Sequence, residues 1–191
     1  FSNEINNKFI DDFSKNTKEQ INFLSETIDD FRDFFNPNKQ KVVFEIKSAI
    51  EKSLKFMGNQ FEINRVKVNI EYKDEKVYGI EIELEQVILN ILNNSMDAFK
   101  ERKIENKEIN IKVLSKQSYT ILIMEDNAGG VKEESLEKIF DPYYTTKSTG
   151  TGTGLYMVKL VVKNSLQGDL KINNSEKGLR YIIALPQKEE S

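Results

Sequence analysis

The sequence predicts an α/β protein in which helices are interspersed with antiparallel strands, a two-layer α/β sandwich. Residues 83–102 carry apolar side chains at three- and four-residue spacing, which is typical of a helix with one buried face. Residues 108–114 and 119–124 alternate between apolar and polar side chains, which predicts two strands of a hairpin. Residues 169–173 and 179–185 show the same alternation and predict a closing pair of strands.

A long helix is predicted before the sandwich, over residues 1–36. Its apolar side chains recur at three- and four-residue spacing, as at Leu24, Ile28 and Phe31, and Pro37 ends the pattern. A stripe so rich in phenylalanine needs a partner helix, so we expect the second helix of a dimerisation hairpin. Packing of this helix on its own domain is the alternative.

The helix and the sandwich define two predicted domains, residues 1–37 and residues 38–191. Within the second domain, the patterns predict a short strand at residues 42–44 and a helix at 45–57 that ends at Gly58. They also predict a strand at 65–72 and a helix at 154–165.

Composition restricts the classes of function. The chain has 191 residues, a net charge of -3, no cysteine and no histidine, which excludes disulfides and thiolate metal sites and disfavours zinc. No basic block indicates nucleic acid as a partner, and no apolar run has the length of a membrane span. Because the sequence starts at Phe1 rather than methionine, we expect a piece of a longer protein, in which membrane segments could lie elsewhere. We expect this piece to be cytoplasmic.

Two asparagines, Asn90 and Asn94, lie one turn apart on the predicted helix over residues 83–102. Asparagine is unfavourable inside a helix, so two on one face need a reason. One interpretation is a pair of polar residues at the domain surface. The other is a magnesium site, because this cation takes oxygen ligands from the protein and its remaining ligands from phosphates and water.

Two glycine clusters follow in the chain. Asp126 ends an apolar strand just before Gly129 and Gly130, where a carboxylate could accept a hydrogen bond from an exocyclic amine of a base; an aspartate-initiated turn is the alternative. The segment GTGTGL, residues 150–155, precedes a helix and is suited to phosphate, although a flexible loop with a helix cap has the same pattern. Lys147 lies between the clusters and is either a phosphate ligand or a solvated surface lysine.

These motifs, in this order, resemble the N box, first glycine box, F box and second glycine box of the GHKL (Bergerat) ATP-binding fold, in its sensor histidine kinase branch. The resemblance covers about residues 38–191, and ETIDDFRDFFNP resembles the hairpin helix of kinases of the nitrogen-regulation type. The family usually has DxGxG, so Ala128 replaces a glycine. The resemblance implies Asn90 as the magnesium ligand and, as residues that bind ATP, Asn90, Asn94, Asp126, Gly130, Phe140, Thr146, Lys147, Gly150, Thr151, Gly152, Thr153, Gly154 and Leu155.

The implied function is transfer of the γ-phosphoryl group of Mg²⁺–ATP to a histidine outside this chain, with Asn90, Lys147 and Gln86 at the catalytic centre. Hydrolysing relatives, such as type II topoisomerases and the Hsp90 chaperones, have a glutamate where this chain has Gln86, and an amide cannot act as a base. The implied partners are a dimerisation hairpin with the acceptor histidine, a second copy of the parent kinase and a response regulator. The alternatives are a GHKL serine kinase of the anti-sigma type and a nucleotide-gated binding module.

Overall fold

A computed structural model describes residues 40–73, 75–147 and 150–188 of the chain. The predicted helix over residues 1–36 and the domain boundary at Pro37 lie outside these residues and stay predictions. Among the helices of the described ranges, none combines the length and the apolar character needed to cross a bilayer.

The helices and strands follow the sequence patterns closely. In chain order they are β1 (Val42–Glu45), α1 (Ile46–Asn64), β2 (Val66–Glu71), β3 (Lys76–Gly79), α2 (Glu81–Glu101), β4 (Lys107–Lys116), β5 (Tyr119–Asp126), α3 (Glu133–Leu136), α4 (Gly154–Leu160) with a π-helical continuation (Val161–Ser165), β6 (Asp169–Asn174) and β7 (Leu179–Pro186).

Five strands form one mixed sheet in the order β2-β4-β5-β7-β6, and β1 pairs with β3 in a separate two-stranded sheet. The predicted hairpin β4–β5 and the closing pair β6–β7 are confirmed, and both are antiparallel. Strand β2, by contrast, runs parallel to β4. The chain between these two strands contains the long helix α2, and such a helical crossover is what parallel pairing requires.

One face of the sheet packs against the helices and forms the core. In β5, every second side chain from Thr120 to Asp126 is buried, while the intervening ones are partly exposed. Helix α2 covers this face with buried apolar side chains on one side, including Leu84, Ile88 and Ile91. The two-layer α/β sandwich is confirmed, and it places the polar face of α2 beside the end of β5.

The prediction that α1 ends at Gly58 is wrong. The helix continues through Gly58 to Asn64 and ends where Arg65 takes a left-handed conformation, with φ of 54°. A glycine inside a helix costs only about 1 kcal/mol, and burial of Met57 and Phe61, one turn apart on the core side, offsets that cost. The short elements β3 and α3 were not predicted.

Candidate functional site

A cleft of about 280 Å³ opens between α2, the end of β5 and the glycine-rich segments. It brings together residues from all four sequence motifs. The predicted site residues that line it are Asn90, Asn94, Asp126, Gly130, Thr146, Lys147, Gly150, Thr151, Gly152, Gly154 and Leu155. Three other predicted residues, Gln86, Phe140 and Thr153, are not among the lining residues.

Asp126 lines the cleft. It is the last residue of β5, and only 4% of its surface is exposed. Its Oδ1 accepts hydrogen bonds from the N–H groups of Ala128, at 2.9 Å, and Leu179, at 3.3 Å. Its Oδ2 accepts a hydrogen bond from the Ser95 hydroxyl at 2.9 Å. The carboxylate is therefore held from both sides, as a buried polar group must be.

The turn after Asp126 is held by a side chain from β6. The Asn174 carboxamide accepts a hydrogen bond from the Val131 N–H at 2.9 Å and donates one to the Val131 carbonyl at 2.7 Å. Gly130 has φ of 66°, and a β-carbon there would collide with Asn174. Ala128, by contrast, is not among the residues with positive φ, so its backbone accepts a side chain where the family usually has glycine.

Tyr181 also lines the cleft and is only 2% exposed. Burial raises the pKa of its hydroxyl far above the ordinary value, and the nearby charge of Asp126 raises that pKa further. The hydroxyl therefore stays protonated at any physiological pH. Around Asp126 the cleft thus combines an acidic acceptor with apolar walls and a neutral phenol.

The cleft lining also carries a cation, Lys147. Lys147 Nζ donates a hydrogen bond to Asn94 Oδ1 at 3.0 Å and forms an ion pair with Asp97 Oδ2 at 2.8 Å. The Lys147 side chain is 27% exposed and that of Asp97 is 60% exposed, so this pair lies at the rim. The Lys147 side chain is therefore directed towards α2, and its role as a phosphate ligand stays a prediction.

Asn90 lies beside this cation on α2. In the described part of the chain its carboxamide forms no hydrogen bond, and Oδ1 lies 3.5 Å from the position that a β-carbon on Gly154 would take. A free amide oxygen at the start of α4 suits a hard cation. The described residues contain no cluster of three acidic side chains that could hold a metal alone. A cation bound at Asn90 would therefore need its other oxygen ligands from a bound molecule and from water. An amide oxygen combined with such ligands fits magnesium.

The F box and the second glycine box are packed together. The Tyr143 N–H donates a hydrogen bond to the Gly152 carbonyl at 3.1 Å. Gly152 has φ of 68°, and a β-carbon there would collide with the Tyr143 backbone. Phe140 lies 6.0 Å below Lys159 Nζ of α4, a cation–π contact outside the cleft lining. Phe140 thus contacts α4 and does not line the cleft.

Gln86 lies one turn before Asn90 on α2, where it is partly buried. Its neighbour Glu85 forms an ion pair with Lys52 of α1 at 3.2 Å. Neither residue lines the cleft. The described structure therefore offers no carboxylate at the position from which a base would activate water beside Asn90.

Sequence comparison decides the family. Residues 79–189, more than half of the chain, match the family described as histidine kinase-, DNA gyrase B- and HSP90-like ATPases. The chain belongs to this ATPase family. The matched residues include α2, both glycine clusters and Lys147, so the resemblance inferred from the four motifs is confirmed.

Two curated relatives show which proteins of the ATPase family are similar to this chain. The two-component sensor PprA of Pseudomonas aeruginosa is 29% identical over 152 residues, which cover 75% of this chain and 16% of PprA. Sporulation kinase B of Bacillus subtilis is 28% identical over 151 residues, which cover 77% of this chain and 34% of that kinase. The chain therefore spans about a third or less of these relatives.

Solved structures confirm the fold. The nucleotide-free catalytic domain of histidine kinase ThkA superposes with a TM-score of 0.70 at 23% identity, covering 78% of this chain and 96% of that domain. A structure of ThkA in complex with the response regulator protein TrrA gives a TM-score of 0.70 at 20% identity, covering 98% of this chain and 53% of that one.

Sequence reasoning missed several residues of the site, including Tyr181, which lines the cleft, and three residues that hold Asp126 or the turn after it. Ser95 and Asn174 act through hydrogen bonds to Asp126 and to the turn after it, and Arg102 donates a hydrogen bond to the Ala128 carbonyl. The only available signal was the position of Ser95, a polar residue on the apolar side of α2. Contacts of Asn174 and Arg102 depend on the folded arrangement of distant segments.

Proposed function

We propose that this chain is the catalytic and ATP-binding domain of a sensor histidine kinase. The observation that carries the proposal is the set of groups that line one cleft: a buried acceptor, Asp126, and a cation, Lys147, beside two asparagines. An adenine nucleotide has the matching groups, an amine on the base and negative charge on the phosphates. The relatives named as a two-component sensor and a sporulation kinase favour this function over the anti-sigma and binding-module alternatives.

At the base, the exocyclic amine of adenine donates to Asp126, while guanine presents an acceptor at that position. At the phosphates, Lys147 exchanges Asp97 for the terminal phosphate, and Asn94 lies within reach of the same oxygens. Phosphoryl transfer needs positioning and charge neutralisation rather than covalent help from the protein. The residues of the cleft supply both, and none of them acts as the nucleophile.

Magnesium belongs to this proposal through Asn90, whose oxygen is free among the described residues. When bound, the ion would neutralise charge on the phosphates. The neutral carboxamide adds no negative charge of its own, which suits a site where the nucleotide already carries several negative charges.

Transfer rather than hydrolysis follows from Gln86, the residue one helical turn before Asn90. Gln86 cannot remove a proton from water, and Glu85 is paired with Lys52. Water in the cleft therefore has no base among the described residues at this position. We expect slow ATP hydrolysis by the chain alone.

The acceptor histidine must lie outside this sequence, because the chain has none. We expect it on a dimerisation hairpin whose second helix is formed by residues 1–37, in a homodimer of the parent kinase. ThkA has been solved with a response regulator, and we extend that class of partner to the parent of this chain. Since ATP is abundant in the cytoplasm, we place this portion there.

The function is tested by measuring ADP formation from Mg²⁺–ATP with and without a separately produced hairpin of the parent. ADP should form slowly without the hairpin. With it, ADP should appear in a burst whose size is proportional to the hairpin added. Asn90→Ala should abolish the burst, while Asn59→Ala, at an exposed asparagine of α1 outside the cleft lining, should retain it. Fast ATP hydrolysis whose rate does not change when the hairpin is added would contradict the proposal.

A further inference from the structure

The carboxylate of Asp126 has one hydrogen-bonding position left for a ligand. An ionised carboxylate accepts through about four lone-pair positions. The N–H groups of Ala128 and Leu179 occupy those of Oδ1, at 2.9 and 3.3 Å. The Ser95 hydroxyl, at 2.9 Å, occupies one of those on Oδ2. A single position therefore remains, on Oδ2.

Ser95 determines which position of Oδ2 that is. It follows Asn94 on α2, is only 3% exposed, and does not line the cleft. Its hydroxyl has one hydrogen to donate and two acceptors in reach, Asp126 Oδ2 at 2.9 Å and the Ile91 carbonyl at 3.3 Å. The bond to the carboxylate is shorter and charge-assisted, so it is the stronger of the two.

We infer that Ser95 is a positioning residue that sets the selectivity of the cleft for adenine. By occupying the inner side of Oδ2, its hydroxyl leaves the outer side to accept the single hydrogen that an exocyclic amine presents. Without the hydroxyl, Oδ2 has two open positions, and a water molecule or a rotated carboxylate can satisfy it in other ways. This inference rests on the proposed function, because it requires an adenine nucleotide in the cleft.

The test compares two ligands that differ in the amine alone, ATP and purine riboside triphosphate, which has hydrogen in place of the amine. Their dissociation constants with magnesium are measured by calorimetry for the full chain and for Ser95→Ala. The wild-type chain should prefer ATP by roughly tenfold or more, the value of a hydrogen bond to a charged acceptor. Ser95→Ala should reduce that preference by at least about threefold, mainly through weaker ATP binding.

A matched control separates positioning from a general loss of structure. Ser53 on α1 is 1% exposed, and its hydroxyl donates a hydrogen bond to the Ala49 carbonyl at 2.8 Å, the same backbone contact one turn earlier in a helix. Ser53→Ala removes a buried hydroxyl that has no contact with Asp126. It should leave the ratio of the two dissociation constants unchanged, even where it lowers the melting temperature.

A double-mutant cycle tests whether Ser95 acts through Asp126. In an Asp126→Asn background, Ser95→Ala should cause no further change in the ratio, because the carboxylate it positions is gone. Ser95→Thr, which keeps the hydroxyl, should restore a ratio close to wild type. An unchanged ratio in Ser95→Ala, or an equal loss for both ligands, would overturn the inference and leave the proposed function intact. Failure of the wild-type chain to bind either ligand would instead refute the proposed function.

Discussion

Replacing Asp126 with asparagine turns one acceptor in the cleft into a donor. The N–H groups of Ala128 and Leu179 require an acceptor at Oδ1, so the new amide group takes the place of Oδ2. In the proposed complex it would face the exocyclic amine of adenine, so that two donors would meet. Losing a hydrogen bond to a charged acceptor costs about 1–3 kcal/mol. We therefore expect adenine nucleotides to bind about 5- to 150-fold more weakly.

The assay is a calorimetric titration of Asp126→Asn with ADP and ATP, in the presence of magnesium and with GTP as a third ligand. Asp169→Asn makes the same chemical change at an exposed residue of β6, outside the cleft lining, and should leave all three affinities unchanged. The preference for ATP over GTP should shrink in Asp126→Asn. No loss for adenine nucleotides, or an equal loss for GTP, would show that Asp126 does not contact the base.

Two further predictions concern contacts that only the structure reveals. Asp97→Asn removes the ion pair that competes with the terminal phosphate for Lys147, so ATP should bind up to about fivefold more tightly relative to ADP, which is the strength of an exposed ion pair. Calorimetry measures the ratio of the two dissociation constants. Weaker binding of ATP relative to ADP would contradict the proposed exchange of Asp97 for phosphate at Lys147. Asn174→Ala removes both hydrogen bonds to the Val131 backbone and should lower the free energy of unfolding by about 1–3 kcal/mol in urea. Asn173→Ala, which loses one bond to the adjacent carbonyl, should cost less, and equal effects of the two variants would refute the role of Asn174.

The long periodic elements of the fold were predictable from the sequence. Helix α2 and the hairpin β4–β5 each repeat one pattern over several turns or residue pairs, so local signals agree with the final packing. Strand β3 is four residues long, like β1, but it lacks the run of three apolar residues that marked β1. The continuation of α1 through Gly58 depends on burial of Phe61 in the core, which a local stop signal does not register.

The candidate site was predictable where it depends on residue types at fixed spacing. The asparagine pair, Asp126 and the glycine clusters were found in this way, and eleven of the predicted residues line one cleft. The pair Lys147–Asp97 and the hydrogen bond between Ser95 and Asp126 join residues far apart in the chain. These contacts arise from the docking of segments onto α2, so no local pattern marks them.

The chemistry of the transferred phosphate tests the central claim most directly. With labelled ATP and magnesium, the chain alone should acquire no acid-labile, base-stable label, because it contains no histidine. Mixed with the hairpin of its parent, it should place such a label on that partner, slowly, since the encounter is bimolecular. Asn90→Ala should abolish the transfer without unfolding the domain. A label on serine or threonine that is stable in acid would contradict the histidine kinase function and favour a kinase of the anti-sigma type.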